Sequence, residues 1–346
     1  MTFILVIAGL ALLVFVHEAG HFLFAKLSKM RVEEFGFGFP PRLFGKKIGK
    51  TLYSVNLIPF GGFVKLFGEE KETKSKDAFQ NQSFGKRLPV LAAGVFMNFI
   101  IGWLLFSIVF MTGAPRHLAI ADVSSNSPAA IAGVQSGDVI TEASIGDTHL
   151  TDPIDATAFI DGVKTNPVSH VTLTVLRGTE SHTFSMEKRE NPPEGEGALG
   201  VGLAEVGFDA QPFFQSLVAG LKEAWGALIL IIASLFHLVV GIFTTPGILK
   251  EVAGPVGIVF LASQASALGF VYFLELLALI SVNLVVINLI PFPALDGGRI
   301  LFLIIEKIKG SPVSRKLEIA VNGIGFAALL ILMVLVTVQD ITRFWK

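Results

Sequence analysis

The chain contains no cysteine, so neither disulfides nor thiolate metal ligands are open to it. Charge is also scarce. Only 16% of its 346 residues are charged against 52% apolar, a balance that excludes an ordinary soluble protein and makes a membrane protein the default. Basic residues are missing from the first turns, where a removable signal peptide would carry them, and no small-residue cleavage site follows. Thr2 to Ala25 is therefore expected to stay as a permanent helix. The net charge of −1 does not itself point to a partner, and no nucleic-acid partner is expected.

Four runs reach the length of about 20 apolar residues that a hydrocarbon core of roughly 30 Å demands. They are Thr2 to Ala25, interrupted only by His17, Glu18 and His21; Leu88 to Ala114; Leu276 to Leu295; and Ile319 to Val338. Of the chain's 27 basic residues, 18 lie in Lys26 to Arg87 and Arg299 to Lys316, which the positive-inside rule places in the cytoplasm with the N-terminus outside. Residues 116–210 carry five basic residues and are expected outside, so a bacterial host would hold the chain in its inner, cytoplasmic membrane. Ala224 to Phe243 is apolar too, though broken by His237 and Gly241. A single crossing there would put Asp296 on the opposite side from His17, so this stretch is expected in the interface or in a re-entrant pair with Ile258 to Phe273. Gly207 to Trp225 suits a helix lying along the outer surface.

Between the second and third spans the pattern changes. Val171, Leu173 and Val175 alternate as in a strand, and "NSP", "SGD" and "NPP" mark turns. A small α+β domain over 116–206 is expected. "SPAAIAGVQSGDVI" reads as helix, glycine turn and strand, and resembles a PDZ domain. "ALGVGL" resembles the carboxylate-binding strand of the circularly permuted type, with Leu199, Gly200 and Val201 as the peptide-binding positions. Strand addition could then capture peptide C-termini; a spacer domain without ligand is the plainer alternative.

The chemistry is expected in "VFVHEAGHFLF". His17 and His21, four apart, project from one helix face and can hold one zinc ion, while Glu18 can take a proton from an attacking water. An ionisable side chain at mid-bilayer costs at least about 2.5 kcal/mol on insertion scales, so three on one helix need compensation, and a metal ion supplies it. Asp296 ends an apolar span in "NLIPFPALDGG", where Pro291 and Pro293 break the helix and let it turn inward as the third ligand. Alone it would be an ordinary helix-end residue. Asn98 has a bland reading too, as a hydrogen bond between helices that pack closely at Gly94.

"HEAGH", "LDGG", "GVFMN" (Gly94 to Asn98) and the PDZ-like domain together resemble the site-2 protease family, in its bacterial RseP-like branch. The likeness covers essentially the whole chain, including "VEEFGFGFPPRLF", "YSVNLIPFGGFVKL", "AGPVGI" and "IEKIKGSPVS". It implies a multi-span α-helical membrane protein of about four transmembrane helices, with one inserted extracytoplasmic PDZ-like domain where many relatives carry two. The expected divisions are 1–115, with the first two spans and a cytoplasmic-side β-hairpin-like element over about 32–66; 116–206; 207–269; and 270–346. It further implies a zinc-dependent intramembrane endopeptidase with His17, His21 and Asp296 on the Zn2+, Glu18 as general base and Asn288 holding the substrate backbone or transition state. Gly36, Gly38 and Asn98 are expected near the substrate, the two glycines in a hairpin whose edge could pair with an unwound helix. Substrates would be single-span proteins within the lipid bilayer, such as anti-sigma factors or remnant signal peptides. Two rivals fit less well. A transporter predicts inverted repeats, which are absent, and an inactive PDZ-bearing scaffold would not need all four site residues.

Overall fold

In lipid a backbone must satisfy its own hydrogen bonds, which unbroken apolar runs do as helices. A computed structural model describes residues 2–344 apart from 70–72, 194, 246–247 and 249–251. The chain divides into two compact units, one of residues 1–108, 217–262 and 274–346, the other of 109–216 and 263–273. In chain order the elements begin with α1 (Thr2–Leu27), β1 (Val32–Ile48), β2 (Thr51–Leu66) and α2 (Phe84–Thr112). Next come β3 (Ala114–Val123), α3 (Pro128–Ala132), β4 (Val139–Ile145), β5 (Thr148–Thr151), α4 (Ala156–Thr165), β6 (His170–Arg177), β7 (Glu180–Glu187) and β8 (Val201–Phe208). Five helices close the chain: α5 (Phe213–Thr244), α6 (Pro255–Leu268), α7 (Phe270–Leu289), α8 (Asp296–Lys309) and α9 (Arg315–Phe344).

Among the described residues, α1, α2, α5, α7 and α9 are long and apolar enough to cross a membrane, one more than the four expected. The addition is α5. Sequence suggested a surface helix to Trp225 followed by a broken stretch, yet the structure makes one unbroken helix of 32 residues. His237 costs the hydrogen-bond ladder nothing, and a helical glycine such as Gly241 costs only about 1 kcal/mol. Its aromatic side chains point outward, with Phe214, Phe236 and Phe243 all strongly exposed. The break instead falls at Gly269, in the left-handed region at φ +141°, which parts α6 from α7.

β1 and β2 form a hairpin that is more than a simple ribbon. Glu34 to Phe37 pair with Leu52 to Val55 on one side and with Gly62 to Lys65 on the other, so β2 doubles back across β1. Arg42 to Ile48 in turn pair with Thr51 to Asn56. The base of this hairpin is fixed by a small core of Ala25, Met30, Val32, Leu66, Val90 and Leu303, which brings together the end of α1, the start of α2 and α8.

The second unit matches its sequence pattern closely. Its strands run in the order β7-β6-β4-β3-β8, with β5 on β4, and Val171, Leu173 and Val175 of β6 are fully buried. Ser127 caps α3 by accepting from Ala130 N at 3.1 Å, and Gly133 ends it in the left-handed region. Under that turn Arg177 donates through Nε and Nη2 to the two carboxylate oxygens of Asp138, both at 2.7 Å, and also to Gly133 O. These bonds hold the Arg177 pKa above its ordinary value. Asp138 is buried, so Arg177→Met is expected to leave an unpaired carboxylate inside the domain and to cost about 3 kcal/mol. Urea denaturation of the full chain, read by limited proteolysis at this domain, checks it; an unchanged midpoint would mean the pair is idle.

Candidate metal centre

α1 and α2 cross where both lack side chains. A Cβ on Gly20 would lie 2.6 Å from Ala93 O, and one on Gly94 would lie 2.4 Å from His21 Nε2 and 2.6 Å from His17 Nε2. The two imidazoles thus sit in the space that Gly94 leaves open. Asp296 arrives from elsewhere. After α7 stops at Leu289, the prolines interrupt the helix and the chain turns tightly, Phe292 N donating to Ile290 O at 2.7 Å and Leu295 N to Phe292 O at 3.2 Å, while Ala294 takes a left-handed φ of +74° and donates its N–H to Asn322 Oδ1 of α9 at 3.1 Å. The turn lets α8 begin at Asp296, pointing back towards α1. Gly297 permits this fold-back, since a Cβ there would strike Ile290 O at 2.2 Å.

The result is a triangle of ligand-type atoms. His17 Nε2 and His21 Nε2 are 3.2 Å apart, and Asp296 Oδ2 is 3.1 Å from the first and 3.2 Å from the second. All three residues are at most 9% exposed. A tetrahedral ion with bonds of about 2.0–2.1 Å separates its ligands by roughly 3.3 Å, so the triangle fits zinc. Asp296 Oδ2 has no aligned hydrogen bond despite its burial, which also suits an atom reserved for a cation. His21 is held in place: its Nδ1 donates to Val90 O at 2.7 Å, leaving the Nε2 lone pair free. A tetrahedral ion held by these three would have a fourth position for water.

Glu18 follows His17 on α1 and faces the hairpin, where a Cβ on Gly62 would come within 3.1 Å of its Cγ. Asn288 is half-buried on the last turn of α7 and makes no hydrogen bond with the His–His–Asp cluster. Asn98, placed among substrate-contacting residues by its motif, is fully buried and lies 3.2 Å from His17 Nδ1. Its backbone carbonyl accepts from Ser281 Oγ of α7 at 2.8 Å, so it joins three helices and faces no groove. Gly36 and Gly38 also need correction. Gly36 lies in the segment paired on both sides, and the Gly38 carbonyl accepts from Asn56 Nδ2 at 3.0 Å, so neither offers a free backbone edge. The outer edge beside Glu18 belongs to Gly62 to Val64.

In the second unit, Leu199 is buried with its carbonyl taken by Ala129 N, and Gly200 N already donates to Gly197 O at 3.0 Å. The Gly200 amide is therefore already engaged. The terminal strands of that sheet are β7 and β8, and β8 begins at Val201. Val90, Ser281 and Asn322 escaped the reading of the sequence. For the last two a signal existed, a polar side chain inside an apolar helix; for Val90 there was none, because its backbone carbonyl acts.

Similarity to known proteins shows the family. A zinc metalloprotease so described from Clostridium perfringens is 36% identical over 342 residues, covering 99% of this chain and 98% of its own length. The regulator of sigma-W protease RasP of Bacillus subtilis is 28% identical, and the regulator of sigma-E protease RseP of Escherichia coli 29%, with coverage of 96% and 97% of both chains respectively. The alignment to the E. coli protein runs over 443 positions, more than the 346 residues here, so the relative carries extra segments. The sequence profile of peptidase family M50 matches residues 5–332, which take in both histidines at one end and the aspartate near the other. A pair of histidines one helical turn apart, an aspartate folded back onto them and a profile that spans both make this chain a member of peptidase family M50, the site-2 proteases.

Proposed function

We propose that the chain is a zinc-dependent endopeptidase that cuts peptide bonds within membrane-spanning segments, with His17, His21 and Asp296 as zinc ligands and Glu18 as the general base. The observation that carries this reading is the triangle of Nε2, Nε2 and Oδ2 atoms with sides of 3.1–3.2 Å. Bound zinc would supply Lewis-acid polarisation of the scissile carbonyl and of the attacking water. Glu18 takes the water proton and delivers it to the leaving amine. The outer edge of Gly62 to Val64 pairs with the substrate once its helix has unwound, holding the extended backbone beside Glu18. Asn288 contacts that backbone from α7.

The site lies towards the cytoplasmic side and the domain of β3 to β8 lies outside. α1 ends soon after His21, and α7 ends just before Asp296; since these side chains are 3.2 Å apart, both helices end on one side of the bilayer. An even number of crossings must then separate α2 from α7. α6 has 14 residues, about 21 Å of helix against a core of roughly 30 Å, too short to return across it. Four spans follow, α1, α2, α7 and α9, with α5 resting in the interface or dipping in and out with α6.

The outer domain is of PDZ type and admits or excludes substrates, with β8 as the edge that accepts a peptide. Two relatives are named for sigma-W and sigma-E regulation, which fits membrane-bound regulators of transcription, such as anti-sigma factors, as substrates. Remnant signal peptides are the second class of single-span chain that the site would take.

The test is cleavage of a single-span protein by the purified chain in liposomes, with bound zinc quantified. The wild type is expected to hold about one zinc and cut within the span, and Asp296→Ala to lose both. Wild-type zinc content in Asp296→Ala would sink the ligand set; zinc without cleavage of any single-span substrate would sink the activity.

A further inference from the structure

A neutral imidazole binds a metal through one nitrogen while the other keeps its proton, and that proton needs an acceptor. For His21 the acceptor is Val90 O. For His17 the neighbour of Nδ1 is the side-chain amide of Asn98, 3.2 Å away, with the amide nitrogen Nδ2 turned towards the ring. The amide oxygen Oδ1 is then buried without any hydrogen bond. Once His17 Nε2 is committed to a metal, this orientation sets a donor against a donor. A half-turn of the amide swaps two atoms of nearly equal size and places Oδ1 against Nδ1–H. Asn98 has little other freedom, since it is fully buried and its backbone carbonyl is fixed by Ser281 Oγ.

We infer that Asn98 is the positioning residue for His17: its Oδ1 accepts from Nδ1–H, fixes the ring's tautomer and orientation, and leaves the Nε2 lone pair for the metal. α2 would then steer both histidines of α1, one through the Val90 carbonyl and the other through the Asn98 amide. This role rests on the ligand set proposed above and replaces the substrate contact expected from the motif.

Zinc affinity of the full chain in detergent, measured by competition with a chelator, separates the possibilities. Asn98→Asp keeps an acceptor of the same shape and is expected to stay within several-fold of wild type. Asn98→Leu keeps the volume without the acceptor and is expected to bind zinc roughly 10–100-fold more weakly. The thermal midpoint of its zinc-free form should match the wild type, which separates loss of tautomer control from loss of packing. Wild-type affinity in Asn98→Leu overturns the inference. So does an Asn98→Asp loss as large as that of Asn98→Leu, because the required partner would then be the amide N–H. If the leucine variant melts early, the aspartate variant still decides. His17→Ala is included for the reading beneath: undiminished zinc binding there would overturn the ligand set, whatever Asn98 does.

Discussion

Glu18→Gln should keep its zinc and lose about 10³-fold in the rate of cleavage. General acid–base catalysis contributes roughly 10²–10⁴-fold, and the glutamine amide matches the carboxylate in shape but cannot accept the proton. Glu18 does not belong to the His17, His21 and Asp296 cluster, and its side chain lies against Gly62 of the hairpin. Metal content and chemistry should therefore separate. Single-turnover cleavage of a reconstituted single-span substrate, with zinc measured on the same preparation, is the appropriate assay. A variant that holds zinc and cuts at the wild-type rate would show that another group takes the proton. One that loses zinc would show that Glu18 helps to bind it.

Gly94→Ala is expected to act in the opposite order, removing the metal first and activity with it. Its Cβ would stand 2.4 Å from His21 Nε2 and 2.6 Å from both Nε2 and Cε1 of His17, closer than real side chains approach. The rings would have to leave the positions at which they face Asp296 Oδ2. Alanine is otherwise the better helix former, by about 0.8–1.0 kcal/mol in a helix interior. The zinc-free variant should therefore melt no lower than the wild type while binding zinc at least about 100-fold more weakly. Zinc binding and thermal melting of the two proteins check both halves. Undiminished zinc binding would show that α1 and α2 can separate at this crossing without disturbing the site.

These cases show which parts of the molecule could be read from the sequence. His17 and His21 share one helix face through local geometry, so their spacing alone announced them. The strands of the β3 to β8 domain were equally plain, because alternation along β6 is also local. Asp296 was harder. Its prolines marked a broken helix, but the left-handed Ala294 and its bond to Asn322 that complete the turn depend on α9, which no local pattern reveals. Gly36 and Gly38 were read as lying near a free edge because a hairpin implies two strands and two edges. The doubling of β2 across β1 is a long-range choice that covers both sides of Glu34 to Phe37. α5 differed only in its continuity, because His237 and Gly241 looked like a break and neither interrupts the helix.

The split origin of the ligands bears on how the protein is made. α1 with its two histidines is made early, whereas Asp296 follows only after the β3 to β8 domain and α5 to α7 have been synthesised. At about 5–20 residues per second the delay is of order tens of seconds. Throughout that interval the nascent chain carries two of the three proposed ligands and no completed metal cage. An unfinished copy, stalled or truncated before α8, would thus lack the third proposed ligand, and the capacity to cut would arrive only with the last part of the chain.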